Sequence, residues 1–280
     1  MRCLTGLLIL ILASCAGEGI APPPGSSPCD GWGEPQQVGR VAAPALYEVS
    51  GIVASRAHPG VVWAHNDSDA GPVLWALDES GAVLATLELA GADAYDWEAS
   101  SLGPGPAGDD YLYVADTGDN ALSRPDVLLY RVPEPSEVAG TMQAAAEAVR
   151  VAYPDGPHNV EALFVDPVTG DAYLIAKVLL GPAPVYRVAA TAWEPGEATA
   201  ERVGTLDTGL MPATAADLSS DGRVLAVRTY TAVLLYSRPA LAPLGSLLGG
   251  PPCRAPAPPE AQGEAITWDG GGYLTIGEGS

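Results

Sequence analysis

Apolar residues in this chain come in short runs, each stopped by a cluster of Gly, Pro, Ser or Asp. The runs are too short for helices and rich in Val, Leu, Ile and Tyr, so they predict β-strands. Compared with itself, the chain shows five imperfect units. Each opens on a carboxylate and a short apolar strand: Glu48-Val-Ser-Gly-Ile, Glu98-Ala-Ser-Ser-Leu, Glu161-Ala-Leu-Phe-Val, Asp217-Leu-Ser-Ser-Asp and Glu264-Ala-Ile-Thr-Trp. The spacings between those carboxylates are 50, 63, 56 and 47 residues. A tight turn follows in each unit, at 57–60, 103–108, 166–170, 219–222 and 269–272. A second strand comes next, as in Val61-Val-Trp-Ala, Tyr111-Leu-Tyr-Val-Ala and Ala172-Tyr-Leu-Ile-Ala. Third strands (Val73-Leu-Trp-Ala-Leu, Val127-Leu-Leu-Tyr, Val233-Leu-Leu-Tyr) and fourth strands (Val83-Leu-Ala-Thr-Leu) complete several units.

A unit of about 50 residues with four antiparallel strands predicts the blade of a β-propeller. A sandwich also has many short strands, but gives no reason for a carboxylate to recur at one place in each unit. The expected fold is therefore all-β, a propeller of five four-stranded blades, or six if two units are merged. The last unit ends after its second strand. The segment 36–41 is expected to supply its outer strand and close the ring, which leaves one strand of the final blade unassigned.

Composition sharpens this picture. With 33 Gly and 27 Pro in 280 residues, long helical bundles are excluded, while 48% hydrophobic residues exclude a disordered chain. The 34 acidic against 13 basic residues give a net charge of −21. Such a surface repels phosphate backbones, so nucleic acid is excluded as a partner and cations are favoured. A monomer is expected.

Arg2, the apolar run 7–12 and the small residues after it read as a secretory signal. Leu12-Ala13-Ser14-Cys15 resembles the bacterial lipobox, which implies cleavage before Cys15 and a lipid on its sulfur. The domains expected are a signal peptide over 1–14, a lipidated Cys15 with a flexible Pro/Gly/Ser linker over 15–28, and one propeller over 29–280. The protein is then extracytoplasmic and held to the membrane by its lipid. Ala16 favours the outer membrane where there are two. Cys29 and Cys253 remain as an even pair in an oxidising compartment and are expected to form a disulfide.

In an antiparallel blade, the start of the first strand and the end of the second lie on one side of the ring. Sorted by that rule, Glu48, Asp96, Glu98, His158, Asn159, Glu161, Asp217 and Glu264 share a face with His65, Asn66, Asp67, Asp116, Asp119, Asn120, Lys177, Arg228, Tyr230 and Glu278. First strands are innermost, so Glu48, Glu98, Glu161, Asp217 and Glu264 are expected to ring the mouth of the central channel. At ~5 Å and an effective dielectric of 20, each ionised pair repels by about 3 kcal/mol. Retained protons, the cations Lys177 and Arg228, or a bound metal would relieve this. Hard oxygen donors without a histidine pair favour Ca²⁺ over a transition metal.

The phrases EVSGIVAS, WAHNDSD, DWEASSL, YVADTGDN, VEALFVDPVTG and QGEAIT resemble a family of secreted bacterial β-propellers without an assigned function. More distantly, the architecture is similar to calcium-bearing propellers of the gluconolactonase, paraoxonase and phytase-like groups. That resemblance implies calcium held by acidic and amide side chains at the channel mouth. Two function classes follow. One is a metal-assisted hydrolase of a phosphoester, lactone or similar small anion, with His65 or His158 as base and Lys177 and Arg228 neutralising charge. No Gly-x-Ser-x-Gly elbow is present, which disfavours serine acyl transfer. The other is a non-catalytic surface module that captures a ligand or protein.

Overall fold

The structure is a computed structural model that describes residues 8–14, 27–68, 70–239, 242–260 and 262–278. Cys15 and residues 16–26 of the expected linker lie outside the described residues, as do the side chains of 8–14 and of Glu278. The described chain is all-β and propeller-like. Its helix amounts to a 3-10 turn at Ala190–Trp193 and a single turn, α1, at Gly245–Leu248. No described helix is long and apolar enough to cross a membrane.

The first strands in the chain are β1 (Leu8–Ser14) and β2 (Gln36–Val41). Four blades are then wound from inner to outer strand. The first has β3 (Val49–Ala54), β4 (Val61–Asn66), β5 (Val73–Asp78) and β6 (Val83–Ala90). The second has β7 (Trp97–Pro104), β8 (Asp110–Asp116) and β9 (Val127–Pro133), after which β10 (Gly140–Ala145) reaches back to pair in parallel with β6, and β11 (Glu147–Ala152) resumes on β9. The third has β12 (Val160–Val165), β13 (Ala172–Ala176) and β14 (Ala183–Val188). Next, β15 (Glu197–Thr199) pairs back on β11, and β16 (Glu201–Leu206) completes the third blade. The fourth has β17 (Ala213–Leu218), β18 (Val224–Thr229), β19 (Val233–Ser237) and β20 (Cys253–Ala255). A further sheet joins the two ends of the chain: β21 (Gln262–Asp269) and β22 (Gly272–Glu278) continue through β1 to β2.

The burial pattern explains why these strands sit where they do. β3, β12 and β17 are buried at every position, as suits inner strands covered on both faces, and their sequences are mostly apolar, with Ser50, Glu161, Thr214 and Asp217 as buried polar exceptions. Outer strands such as β6 and β11 alternate between buried and exposed. The hairpins between first and second strands turn on Gly60, Gly108, Gly170, Gly222 and Gly270, all in the left-handed region with φ between 54 and 85°. β3, β7, β12, β17 and β21 pack one against the next, and β21 also meets β3. Thr267 Oγ1 accepts the Ala54 amide at 2.9 Å across that last contact.

Each first strand carries one β-bulge, at the same place relative to its second strand. The register skips Ser50, Glu98, Glu161, Thr214 and Glu264. A bulge lets a side chain leave the alternating pattern of its strand. It also gives the internal repeat a structural register.

The expected disulfide is present. Cys29 and Cys253 bridge with a Cα separation of 6.0 Å, tying the start of the domain to the outer strand of the fourth blade. The bridge spans 224 residues, so it removes many conformations from the unfolded chain. Reduction, or Cys29→Ser with Cys253→Ser, is expected to cost about 2–4 kcal/mol. Thermal melts with and without reductant test this, and coincident curves would contradict it. A disulfide of this kind suggests an extracytoplasmic location.

β2 is held by the first blade. The Arg40 amide donates to Ser80 O at 2.9 Å, and Gly39 lies against the same hairpin. A Cβ at Gly39 would stand 2.4 Å from the Glu79 carbonyl oxygen, a backbone atom that has no rotamer to escape into. Gly39→Ala is expected to destabilise by about 1–3 kcal/mol. A denaturant midpoint equal to that of the parent would contradict it.

Candidate functional site

The bulges build the site. In the second blade, the bulge at Glu98 leaves its side chain buried at 6% exposure, while Asp96 sits two residues earlier, just before β7. Asp67 follows the end of β4, and its amide donates to Glu48 O at 2.9 Å. One carboxylate oxygen from each of Asp67, Asp96 and Glu98 lies within 4.8 Å of the others. Gly118, in the loop after β8, forms the floor beneath two of them. A Cβ there would come 2.2 Å from Asp96 Oδ2 and 2.5 Å from Glu98 Oε1, so only glycine leaves room for both.

The electrostatics are those of crowded acids. Glu98 is pushed up to about 10, first by burial and then by the charges of Glu161, Asp67 and Asp96, with Lys177 opposing. Asp67 is pushed up to about 7, again mainly by burial, then by its interaction with Asp96. Asp96 is raised by burial, while its hydrogen bond with Asp67 and the Arg124 charge work the other way. Asp67 Oδ1 is buried and has no hydrogen-bond partner. A cation would satisfy these oxygens and displace the protons. Three carboxylate donors that can meet one ion at about 2.3–2.6 Å fit Ca²⁺.

Beside the triad, Glu161 occupies the equivalent bulge of the third blade. It pairs with Lys177 and accepts from Asn159 Nδ2 at 3.2 Å. Asn159 Oδ1 in turn accepts the Asp119 amide at 2.8 Å, and Asn159 also donates to Asn120 Oδ1. Asp119 caps the following loop through the amides of Ser123 and Arg124. Asp116 accepts from the Tyr95 amide and lies 2.8 Å from Arg124 Nη1. Lys177 Nζ also sits over the Tyr230 ring at 5.2 Å.

Several expected members are elsewhere. Asp217 is at the turn end of β17, three residues past the bulge, where it accepts from the amides of Leu218 and Trp268 and from Thr267 Oγ1. The bulge position of that blade is Thr214, which donates to Gly263 O at 2.8 Å. Glu48 precedes β3 and is exposed. The bulge position there is Ser50, which donates to Glu98 O at 2.9 Å. The five bulges thus carry three carboxylates and two hydroxyls. Glu264 keeps its bulge position and accepts from Gln262.

The histidines do not reach the triad. His65 is fully enclosed, donates from Nδ1 to Asn66 O at 2.9 Å, meets Trp97 edge-on and is pushed down to about 4 by burial. Gly51 lies close against its ring, since a Cβ there would come 2.1 Å from Nε2. His158 belongs to a separate cluster, 2.9 Å from Asp155 Oδ1 and 2.6 Å from Tyr186 Oη. Asn66 caps the approach to β3 by accepting the Tyr47 and Glu48 amides. Arg228 is buried completely, paired to the buried Glu260. Its guanidinium lies where a Cβ of Gly263 would be.

Sequence reading missed Glu260 and Gly118. It also missed a rim of exposed apolar side chains on this same face: Tyr47 before β3, Tyr95 before β7, Leu122 after β8, Leu179 and Leu180 after β13, and Leu210 before β17. Leu179 and Leu180 are more than 70% exposed.

No family model matches the chain, and no curated protein does. Among solved structures it is similar to a gluconolactonase from Xanthomonas campestris. The similarity is distant. Identity is 12%, the match covers 89% of this chain and 76% of that one, and the TM-score is 0.45.

Asp96→Asn is expected to weaken any cation bound here at least tenfold, because it removes a charge while keeping the side chain's shape. Terbium luminescence titration checks this, and an unchanged affinity would contradict it.

Proposed function

We propose that the chain is an exported five-bladed propeller, closed by its N-terminal strands, monomeric and anchored to the cell envelope by lipid on Cys15. We further propose that Asp67, Asp96 and Glu98 hold one Ca²⁺, through which the protein binds an oxygen of a small anionic ligand. The observation that carries this reading is the convergence of those three carboxylates over Gly118, with Asp67 Oδ1 lacking a protein partner.

On this reading the protein is a metal-assisted hydrolase of phosphoester or lactone type. A bound divalent ion supplies Lewis acidity to a substrate oxygen. This chain's residues do the rest. Glu161 holds Lys177 beside the triad, where its ammonium offsets substrate charge. Asn159 and Asn120 fix the neighbouring loop.

A second reading, non-catalytic capture of a ligand or protein, is favoured by a specific observation. All three histidines of the chain are engaged away from the triad, while the exposed rim offers apolar contact around it. A panel of phosphoesters and lactones, assayed with calcium and with chelator, separates the two. Calcium-dependent turnover that Glu98→Gln abolishes without unfolding supports the hydrolase. Calcium binding with no turnover across the panel supports capture.

A further inference from the structure

β1 occupies the position that the repeat left without a segment. It is paired antiparallel on both sides: Leu8–Leu12 with β2, and Ile9–Ser14 with β22. Its sequence, LILILAS, covers most of the apolar run expected to be the core of an export signal, and the expected cleavage falls immediately after it. One segment cannot be both an interior strand of the finished domain and a piece removed on export.

The strands either side are fixed independently of β1. β22 is paired along its whole length with β21, and Tyr273, Leu274 and Ile276 are buried. β2 is pinned to the first blade by the bond from Arg40 to Ser80 and by the close backbone contacts of Gly39 and Gly81. Val41 lies in one core cluster with Leu274 and Ile276. β2 therefore cannot slide across to β22 without breaking its contacts with the first blade. Removing residues 1–14 leaves a gap one strand wide, bounded by two edges whose amides and carbonyls seek partners.

We infer that the processed protein carries a strand-wide slot between β22 and β2, which takes an extended aliphatic segment of six or seven residues from another polypeptide. The occupant's chemistry is read from the segment that fills the slot here: aliphatic, free of Pro and Gly, and antiparallel to both neighbours. Main-chain bonds to two edges at once supply the affinity, as in strand addition generally. This inference rests on the lipid-anchor reading and not on the calcium site.

The test uses the mature protein extracted from the envelope in mild detergent, with its N-terminus established by intact mass. The probe is a fluorescein-labelled peptide of residues 8–14 between terminal lysines. A control peptide carries Pro in place of Ile11. The second protein is Cys15→Ala, which blocks lipobox processing and keeps β1 attached. The expected result is saturable one-to-one binding by the processed protein, a raised melting temperature, and at least tenfold weaker binding of the Pro peptide and by Cys15→Ala. No saturable binding by the processed protein, or equal binding in all pairings, overturns the slot. A native mass that includes residues 1–14 overturns it too, and in that case it is the lipid-anchor reading that has failed.

Discussion

Ion-free protein is expected to lose stability as pH rises from 5 to 9, and calcium is expected to abolish that loss. Glu98 is raised from an ordinary 4.5 to about 10, and Asp67 from 3.8 to about 7. Between those values the folded state holds protons that the unfolded chain has released. Stability is therefore full below the unfolded values and falls as pH climbs toward the folded ones. By pH 7 Glu98 alone accounts for a loss on the order of 3 kcal/mol. For a domain of this size that is a drop of roughly 6–12 °C in melting temperature. A bound divalent ion replaces the protons and removes the repulsion, so its benefit is largest at high pH. Glu98→Gln, a neutral side chain of the same shape, is expected to flatten the pH slope in the ion-free protein and to erase the calcium effect. Melting curves from pH 5 to 9, with calcium and with chelator, check both. A flat profile in the ion-free parent would contradict the burial of Glu98 among like charges.

Breaking the Arg228–Glu260 pair is expected to be the most damaging single change in the fourth blade. Both partners are buried, with side-chain exposures of 0% and 5%, and Glu260 also accepts from Thr275 Oγ1 at 2.9 Å. Burial raises the Glu260 carboxyl, and the Arg228 charge holds it down. Arg228→Met leaves a buried carboxylate without its counter-charge, at a cost of about 3–5 kcal/mol. Adding Glu260→Gln removes the orphan charge, so the double variant should recover most of the loss. Urea midpoints for the parent, both single variants and the double variant check this. A double variant as unstable as Arg228→Met would show that the guanidinium acts through packing on Gly263 and not through charge.

The fold was legible because its signal is physical and repeated. Inner strands buried on both faces must be mostly apolar, and each hairpin needs one left-handed residue. Those two demands mark every unit, and Gly60, Gly108, Gly170, Gly222 and Gly270 are their trace. The site was legible in part. Glu98, Glu161 and Glu264, three of the five recurring carboxylates, stand at the bulges. Glu48 and Asp217 do not, because the bulge, and not a carboxylate near a strand start, is the repeated feature. A better marker was present: each bulged residue is followed by Ala or Gly, at Gly51, Ala99, Ala162, Ala215 and Ala265. With that rule Ser50 and Thr214 take their places.

The remaining gaps have other causes. His65 is expected on the site's face from its place at a strand end, but Trp97 of the next blade meets it edge-on, and contacts between blades leave no periodic trace. Asp67 and Asp96 were assigned to the right face. Their convergence with Glu98 depends on the absent side chain of Gly118, twenty residues further on, which no local pattern reveals. Arg228 sits at the end of a second strand like Lys177, yet it is fully buried and pairs with Glu260.

Calorimetric titration of calcium into the chelator-treated protein at pH 7, in buffers of different ionisation enthalpy, addresses the site most directly. Binding should be one-to-one and should release about one to two protons, since Glu98 gives up a full proton and Asp67 part of one. Glu98→Gln should show no saturable heat. Binding without proton release, or equal binding by Glu98→Gln, would mean that the three carboxylates over Gly118 do not hold the ion.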